Sequence, residues 1–262
     1  MDMKILLFKE LKNFDYDKHS GELYNKVEAE TLKDRKKILS EGAFIGFVDV
    51  FRTDKFVYLQ AYKEYKREGG LYNGNPNKLT PTLNTNGELH SIIITSNGFI
   101  LHEHSSLFHN EDIKELLMRT FKSLGLHNVS IKDVTSFDIK TMRTFYKSAK
   151  RVISLRIREI GKVAPNPQMP PEHIEEATQD MANGTNEISM TSGTEKNLKD
   201  SHLINEGLAK RSDITEVRGV DEDGDTFTIG ANGRIFVHLP DDSRKRANKL
   251  YKMIEKILGI FH

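Results

Sequence analysis

The chain has 262 residues, a formal net charge of +1 at pH 7 and no cysteine. The missing cysteines exclude disulfides, thiolate metal sites and cysteine nucleophiles, and they fit a cytoplasmic protein. Hydrophobic residues make up 37% and mean hydropathy is -0.53, so there is apolar content for a core, but no stretch approaches the roughly 18 apolar residues of a membrane span.

The N-terminal residues 3–12 read as a strand, because the apolar run breaks at Lys9 and Glu10 too early for a signal peptide. Residues 22–40 read as a charged helix. Residues 43–51 and 56–62 are rich in aromatic and β-branched side chains and read as strands joined by a turn. Residues 69–87 hold four glycines, two prolines and five asparagines, and the expectation there is a long loop. A hairpin about Asn97-Gly98 and a helix over 111–125 follow. Next come a strand at 128–134, a helix at 137–150 and a strand at 151–160. The proline-rich run 164–171 must be extended. Beyond it, 187–191 reads as a strand and 197–210 as a helix. A hairpin spans 213–229 across the acidic turn Asp221-Glu222-Asp223-Gly224, and a last helix begins after Pro240. Its expected buried stripe is Ala247, Leu250, Ile254, Ile257 and Phe261.

One plan occurs twice. An apolar run, Asn97-Gly98, a second apolar run and a helix ending at Leu124-Gly125 are matched by the run around Asn232-Gly233 and a helix ending at Leu258-Gly259. Asn-Gly between apolar runs signals a tight hairpin, here read as a two-residue type I′ turn. The expected fold is α+β, made of duplicated antiparallel β-hairpin plus helix units, with curved sheets and helices packed on one face. The expected organisation is an α+β domain over 1–160, a Pro-rich and acidic linker over 161–186, and a second α+β domain over 187–262.

The near-zero net charge conceals two blocks. From Lys140 to Lys162 there are eight basic residues against Glu159 alone, and from Val163 to Glu206 eight acids against Lys196 and Lys199. Lys140, Arg143, Lys147 and Lys150 recur at helical spacing, Arg151 follows, and Arg156 and Arg158 share one face of the next strand. Phosphate is the simplest partner for such a block. The acidic stretch is a candidate to mask it. Lys245, Lys249, Lys252 and Lys256 form a second stripe on the last helix, read as its solvated face. Tyr62, Lys63, Tyr65, Lys66 and Arg67 interleave aromatic and basic residues, as single-strand binders do.

Catalytic signals are sparser. His90, His102, His104 and His109 lie within twenty residues, but a two-residue turn sets Ile93 opposite His102 and puts His90 on the other face, so no metal site is expected. Asp221 to Asp225 opens like a calcium loop but has Asn232 where a bidentate Glu is needed, and reads as a turn. Asp213, Glu216 and Arg218 imitate a nuclease motif only loosely. Gly-rich phosphate loops and the Gly-x-Ser-x-Gly elbow are absent from the sequence.

The segment Ala231-Asn-Gly-Arg-Ile-Phe-Val with the helix closing on Leu258-Gly259-Ile-Phe261 resembles one half of a TATA-binding-protein repeat, over about 35 residues per copy. The resemblance implies a duplicated, strand-rich fold that binds DNA. The family's intercalating phenylalanine has no counterpart here, since the stretches before the glycines read Ile94-Thr95-Ser96-Asn97 and Ile229-Gly230-Ala231-Asn232.

The expected function is a cytoplasmic, non-catalytic nucleic-acid-binding or adaptor protein of a larger assembly. Its expected partners are nucleic acid and another protein, with no membrane and no cofactor. Lys140, Arg143, Lys147, Lys150, Arg151, Arg156 and Arg158 are its expected phosphate contacts. One alternative is an enzyme (a nuclease or metal-dependent hydrolase) with a scattered site among the 102–109 histidines and the 213–225 acids. The other is a protein-interaction component without nucleic acid.

Overall fold

The computed structural model describes residues 3–34, 44–72, 79–106, 108–158, 187–193, 196–201 and 213–259. Its elements, in chain order, are β1 (Met3–Lys12), α1 (Tyr16–Asp34), β2 (Phe44–Arg52), β3 (Phe56–Tyr72), β4 (Leu79–Thr95), β5 (Phe99–His104), α2 (Asn110–Ser123), β6 (Ser130–Asp133) and α3 (Ile139–Ser148). They continue with β7 (Arg151–Arg158), β8 (Glu187–Thr191), a 3-10 turn at Leu198–Asp200, β9 (Asp213–Val220), β10 (Thr226–Gly230), β11 (Arg234–His238) and α4 (Ser243–Leu258). This is a mixed α+β fold dominated by antiparallel β-structure.

The chain divides into two compact units, one made of Leu7–Asp133 and Ser243–Tyr251, the other of Met1–Leu6, Val134–Asp242 and Lys252–His262. In the first unit the strand order is β2-β3-β4-β5-β1, with β6 also paired to β1. Val57, Leu59 and Ala61 of β3, Ile92 and Ile94 of β4 and Ile100 of β5 turn to one face of the sheet. There they meet Tyr16, Leu23 and Val27 of α1 and Ile113, Leu116, Leu117 and Phe121 of α2. The opposite face carries Phe56, Tyr58, Ser91, Ile93 and Glu103, and residues 243–251 of α4 pack there, with Tyr251 5.3 Å from Phe56. Helices therefore cover both faces of this sheet, where one helical face was expected. A strand apolar on both faces, as β4 is from Ile92 to Ile94, needs both covered.

The second unit orders its strands β11-β10-β9-β7-β8. Leu155, Val217, Phe227, Ile229, Ile235 and Val237 are buried, and Phe145 of α3 meets Phe227 at 6.4 Å. Gly219 lies under the end of α3, where an added Cβ would meet Ala149 Cβ at 3.1 Å. Asp138 caps α3 by accepting from Thr141 N at 2.7 Å, and Thr141, through its side chain first and its backbone N–H second, holds that carboxyl below the usual range. Lys199 caps the other end, its Nζ donating to the carbonyls of Lys147 and Ala149 at 2.7 Å each. Strand β7 pairs with both β8 and β9, so the expected boundary at 160 falls between strands of one sheet. The expected linker 161–186 lies outside the described residues, apart from which the helix expected at 197–210 shows only its 3-10 turn, with 202–212 likewise outside.

Two further expectations are corrected. The first is the loop over 69–87: β3 and β4 pair continuously from Phe56↔Thr95 to Tyr72↔Leu79, so 69–72 and 79–87 are strand, and only 73–78 lie outside the described residues. Cross-strand pairing outweighs the weak strand propensity of its asparagines and glycines.

The second is the turn type. Ile92 pairs with His102 and Ile94 with Ile100, leaving three residues, Ser96 to Gly98, in the turn. Gly98 N donates to Thr95 O at 3.0 Å and Gly98 has φ 77, the geometry of a type I turn closed by a glycine bulge. The β10–β11 connection is alike, with Gly233 at φ 77 and its N–H on Gly230 O at 3.1 Å. Both glycines lie against backbone. An added Cβ would meet Leu11 O at 3.1 Å from Gly98 and Val134 O at 2.7 Å from Gly233. At Gly125, also φ 77, it would meet nothing within 4 Å.

These three positions share a φ and differ in space, which separates strain from clash. Urea unfolding should show Gly125→Ala losing about 1 kcal/mol, Gly98→Ala somewhat more and Gly233→Ala the most, roughly 2–4 kcal/mol. Equal losses at all three would mean that the close approaches contribute nothing.

Candidate nucleic-acid interface

The seven expected phosphate contacts do not form one surface. On α3, Lys140 and Lys147 are exposed and Arg143 is half-buried, on the side away from Met142, Phe145 and Tyr146, which pack inward. Lys150 is exposed after the helix and Arg151 is half-buried at the start of β7. Arg156 and Arg158 are exposed too, but they alternate with Leu155 and Ile157, which are buried beside Val217 and Ile214. They therefore lie on the face of the sheet opposite α3. The cause is geometric: a helix presents its polar side away from the sheet it covers, and a strand presents its polar side through the other face.

The structure adds to that exposed face residues that were not among the expected phosphate contacts. Arg218 of β9 and Arg234 of β11 are exposed, and Thr228 and Phe236 are half-buried. The registers Ser154↔Arg218, Arg218↔Thr228 and Thr228↔Phe236 lay one row across four strands. The signal was present: Arg218 stands between Val217 and Gly219, and Arg234 and Phe236 flank Ile235, a period-2 alternation. The acids of the loose nuclease motif are register partners of arginines, Glu216 of Arg156 and Asp213 of Arg158, so they moderate the positive face instead of converging on a shared site.

The histidines are arranged differently from expectation. With Ile92 opposite His102, strand alternation puts His90, His102 and His104 on one face of the hairpin, because the extra turn residue shifts the register by one. His102 is fully buried, its Nδ1 2.7 Å from the carbonyl of Glu103. His90 Nδ1 lies 3.1 Å from the same carbonyl and its Nε2 3.3 Å from Glu88 Oε2, with the ring 4.5 Å from Phe108. Burial pushes the His102 imidazole down to about 3, with the Lys9 charge acting the same way, so it is neutral in the folded chain. Lys9 is itself buried and pairs with Asp133. Among the described residues, no group of three or more His, Cys, Asp or Glu is arranged to hold a metal ion.

On the other face, Glu103 is buried and accepts from Ser91 N at 3.2 Å, with Arg246 Nη1 at 3.5 Å. Tyr58 OH and Ser91 Oγ are 2.9 Å apart. The acidic turn expected at 221–224 is a tight β9–β10 connection, Asp221 Oδ1 accepting from Asp225 N at 2.8 Å and Gly224 N donating to Asp221 O at 3.1 Å. In the lysine stripe of α4, Lys245 and Lys252 are exposed and Lys249 and Lys256 half-buried, and Lys252 pairs with Asp223 at 3.1 Å. Lys63, one of the three basic residues in the expected aromatic-basic interleaving, is engaged with Asp112 at 2.6 Å, which helps hold that carboxyl below its usual range.

No family model matches this chain, and no curated protein matches it.

The buried histidine has a measurable consequence. His102 binds its proton with an affinity near pH 6.5 when unfolded but only near pH 3 when folded. The unfolded state thus holds more protons between these values, and stability is lost as pH falls from 6.5. The slope should reach about 1.4 kcal/mol per pH unit, and pH 6 to 4.5 is the useful window because carboxylates contribute below it. Urea unfolding across that window should be flatter for His102→Gln than for the native chain; parallel curves would show that His102 titrates normally.

Proposed function

We propose that the protein is a nucleic-acid-binding or adaptor component of a larger assembly, and that it holds single strands on the open face of the β7-β9-β10-β11 sheet. The observation that carries this reading is the arginine set on that face: Arg156, Arg158, Arg218 and Arg234 exposed on three strands, with Phe236 among them. Guanidinium groups supply phosphate contacts, and an aromatic ring on a sheet surface supplies a platform for a base. Lys140, Arg143, Lys147 and Lys150, with Arg151, form a separate basic surface around α3 that a longer strand or a second partner would reach.

A duplicated fold is part of the same proposal. The order β1-α1-β2-β3-β4-β5-α2 is followed by β6-α3-β7-β9-β10-β11-α4, with β8 inserted, and both hairpins close through the same three-residue glycine turn. That order supports a relationship to the TATA-binding-protein fold. Binding here would proceed without minor-groove wedging, since Thr95-Ser96 and Gly230-Ala231 carry no aromatic residue. Fold kinship alone does not carry the function, so the arginine face is the element to test.

An electrophoretic shift series with single-stranded RNA and DNA at several salt concentrations provides the test. Each phosphate contact on a single strand contributes about -0.7 to the slope of log K against log salt. Replacing Arg156, Arg158 and Arg218 by Gln should flatten the slope by up to about 2. Phe236→Ala should weaken binding at every salt and leave the slope unchanged. Gln at Lys140 and Lys147 should matter less for short oligonucleotides. Equal retention of native and triple-variant protein would reject the open-face reading.

A further inference from the structure

The first unit holds a cleft of about 510 Å³ between α1 and the β2–β3 turn, lined by Tyr24, Phe51, Arg52, Thr53 and Asp54. Its size is in the range of small-molecule sites. Its walls are set in advance. Thr53 Oγ1 accepts from Lys55 N and Phe56 N at 3.2 and 3.1 Å, and Thr53 O accepts from Tyr16 OH at 2.8 Å, so the turn is tied to α1. Arg52 is held by Ser20, its Nε 2.9 Å from Ser20 Oγ, and it lies against the Tyr16 hydroxyl. Burial pushes that phenol up to about 12, so it stays neutral as a support. The guanidinium gives its Nε–H to Ser20 and makes a second side-chain hydrogen bond with Tyr16, and the side chain is exposed at the cleft.

The lining combines three chemistries. Tyr24 stands half exposed on α1, with its hydroxyl donating to Glu28 Oε1 at 2.5 Å, which fixes the ring. Phe51 closes the cleft along β2, its own ring stacked on Tyr58, 4.8 Å away, with the Arg244 guanidinium 5.9 Å from its centre, on the sheet face that α4 covers. Asp54 is an exposed carboxylate at the tip of the turn, and a carboxylate only accepts. A ligand matching all three has a flat ring, adjacent N–H donors on that ring and an anionic group.

We propose that this cleft binds a single guanine nucleotide. The base lies against Tyr24, and Asp54 accepts from the ring N–H and the exocyclic amine. The phosphate meets Arg52. Guanine is favoured among the bases because its amine and ring N–H stand side by side, as a two-oxygen acceptor requires. The site is independent of the open sheet face, and each stands without the other.

Calorimetric titration of the full chain with GMP, IMP, guanosine and inorganic phosphate tests it. GMP should bind about tenfold or more tightly than IMP, which lacks the amine, and than guanosine, which lacks the phosphate. Asp54→Asn should bring GMP and IMP level. Arg52→Gln should bring GMP and guanosine level, and Tyr24→Ala should weaken GMP about tenfold. Asp54 is exposed and serves as the arm that leaves the fold undisturbed, which circular dichroism verifies. Absence of GMP binding up to millimolar concentration, or GMP binding unmoved by Asp54→Asn, overturns the proposal. GMP binding abolished instead by Arg156→Gln with Arg218→Gln moves the nucleotide to the sheet face and also overturns it. Oligonucleotide binding undiminished in that double variant, with GMP binding intact, removes only the sheet-face reading.

Discussion

Much of the first unit depends on one residue of register at the β4–β5 turn. Gly98 adopts a left-handed conformation that closes a three-residue turn, and Leu11 N donates to Gly98 O at 2.8 Å, so the turn also seats β1. The register that results puts Ile92, Ile94 and Ile100 on the face shared by α1 and α2. A two-residue turn would pair Ile93 with His102 and set the core residues of one strand against the polar face of its neighbour. Slippage by one residue exchanges every side chain between faces, so a hairpin buried on both sides tolerates only one register.

Buried polar groups on either side of this hairpin lock the same arrangement. Glu103 faces α4 and is held by Ser91 N–H and Arg246, while its carbonyl receives His102 and His90 on the α2 face. Lys9, without exposure of its own, has Asp133. Such groups contribute little net stability when paired, because desolvation offsets most of the attraction. Left alone in the core, each would be far more costly. Their effect is to make alternatives expensive: an α4 seated elsewhere on the first unit would leave the Glu103 carboxylate buried against apolar atoms.

The alternating apolar segments made most strands legible in the sequence, and the periodic stripe of α4 named its buried residues well. Ala247, Leu250, Ile254 and Ile257 are all buried as the spacing requires, with Phe261 outside the described residues. The far half of the β3–β4 ribbon was illegible because Asn, Gly and Pro argue for loop, and only pairing with a partner strand reveals it. Turn length was illegible for a related reason. Asn-Gly serves both a two-residue turn and a three-residue one, in which only the glycine needs positive φ. That ambiguity alone misplaced His90. Arg246 as the partner of Glu103 is a long-range contact of 143 positions that no local pattern carries.

The basic block from Lys140 to Arg158 shows how a one-dimensional charge reading divides in three dimensions. A helix that covers a sheet and the strand that follows it turn their polar sides in opposite directions, so adjacent charges in such a segment end on two surfaces. Strands of one sheet behave in the converse way, because residues distant in sequence return to one face at matching register. Ser154, Arg218, Thr228 and Phe236 come from four strands and form one row. The surface that gathers charge here is therefore set by sheet registry, with contributions too few per strand to stand out in composition. Arg156 and Arg158 belong to it through alternation with Leu155 and Ile157, and the lysines of α3, nearest to them in sequence, do not.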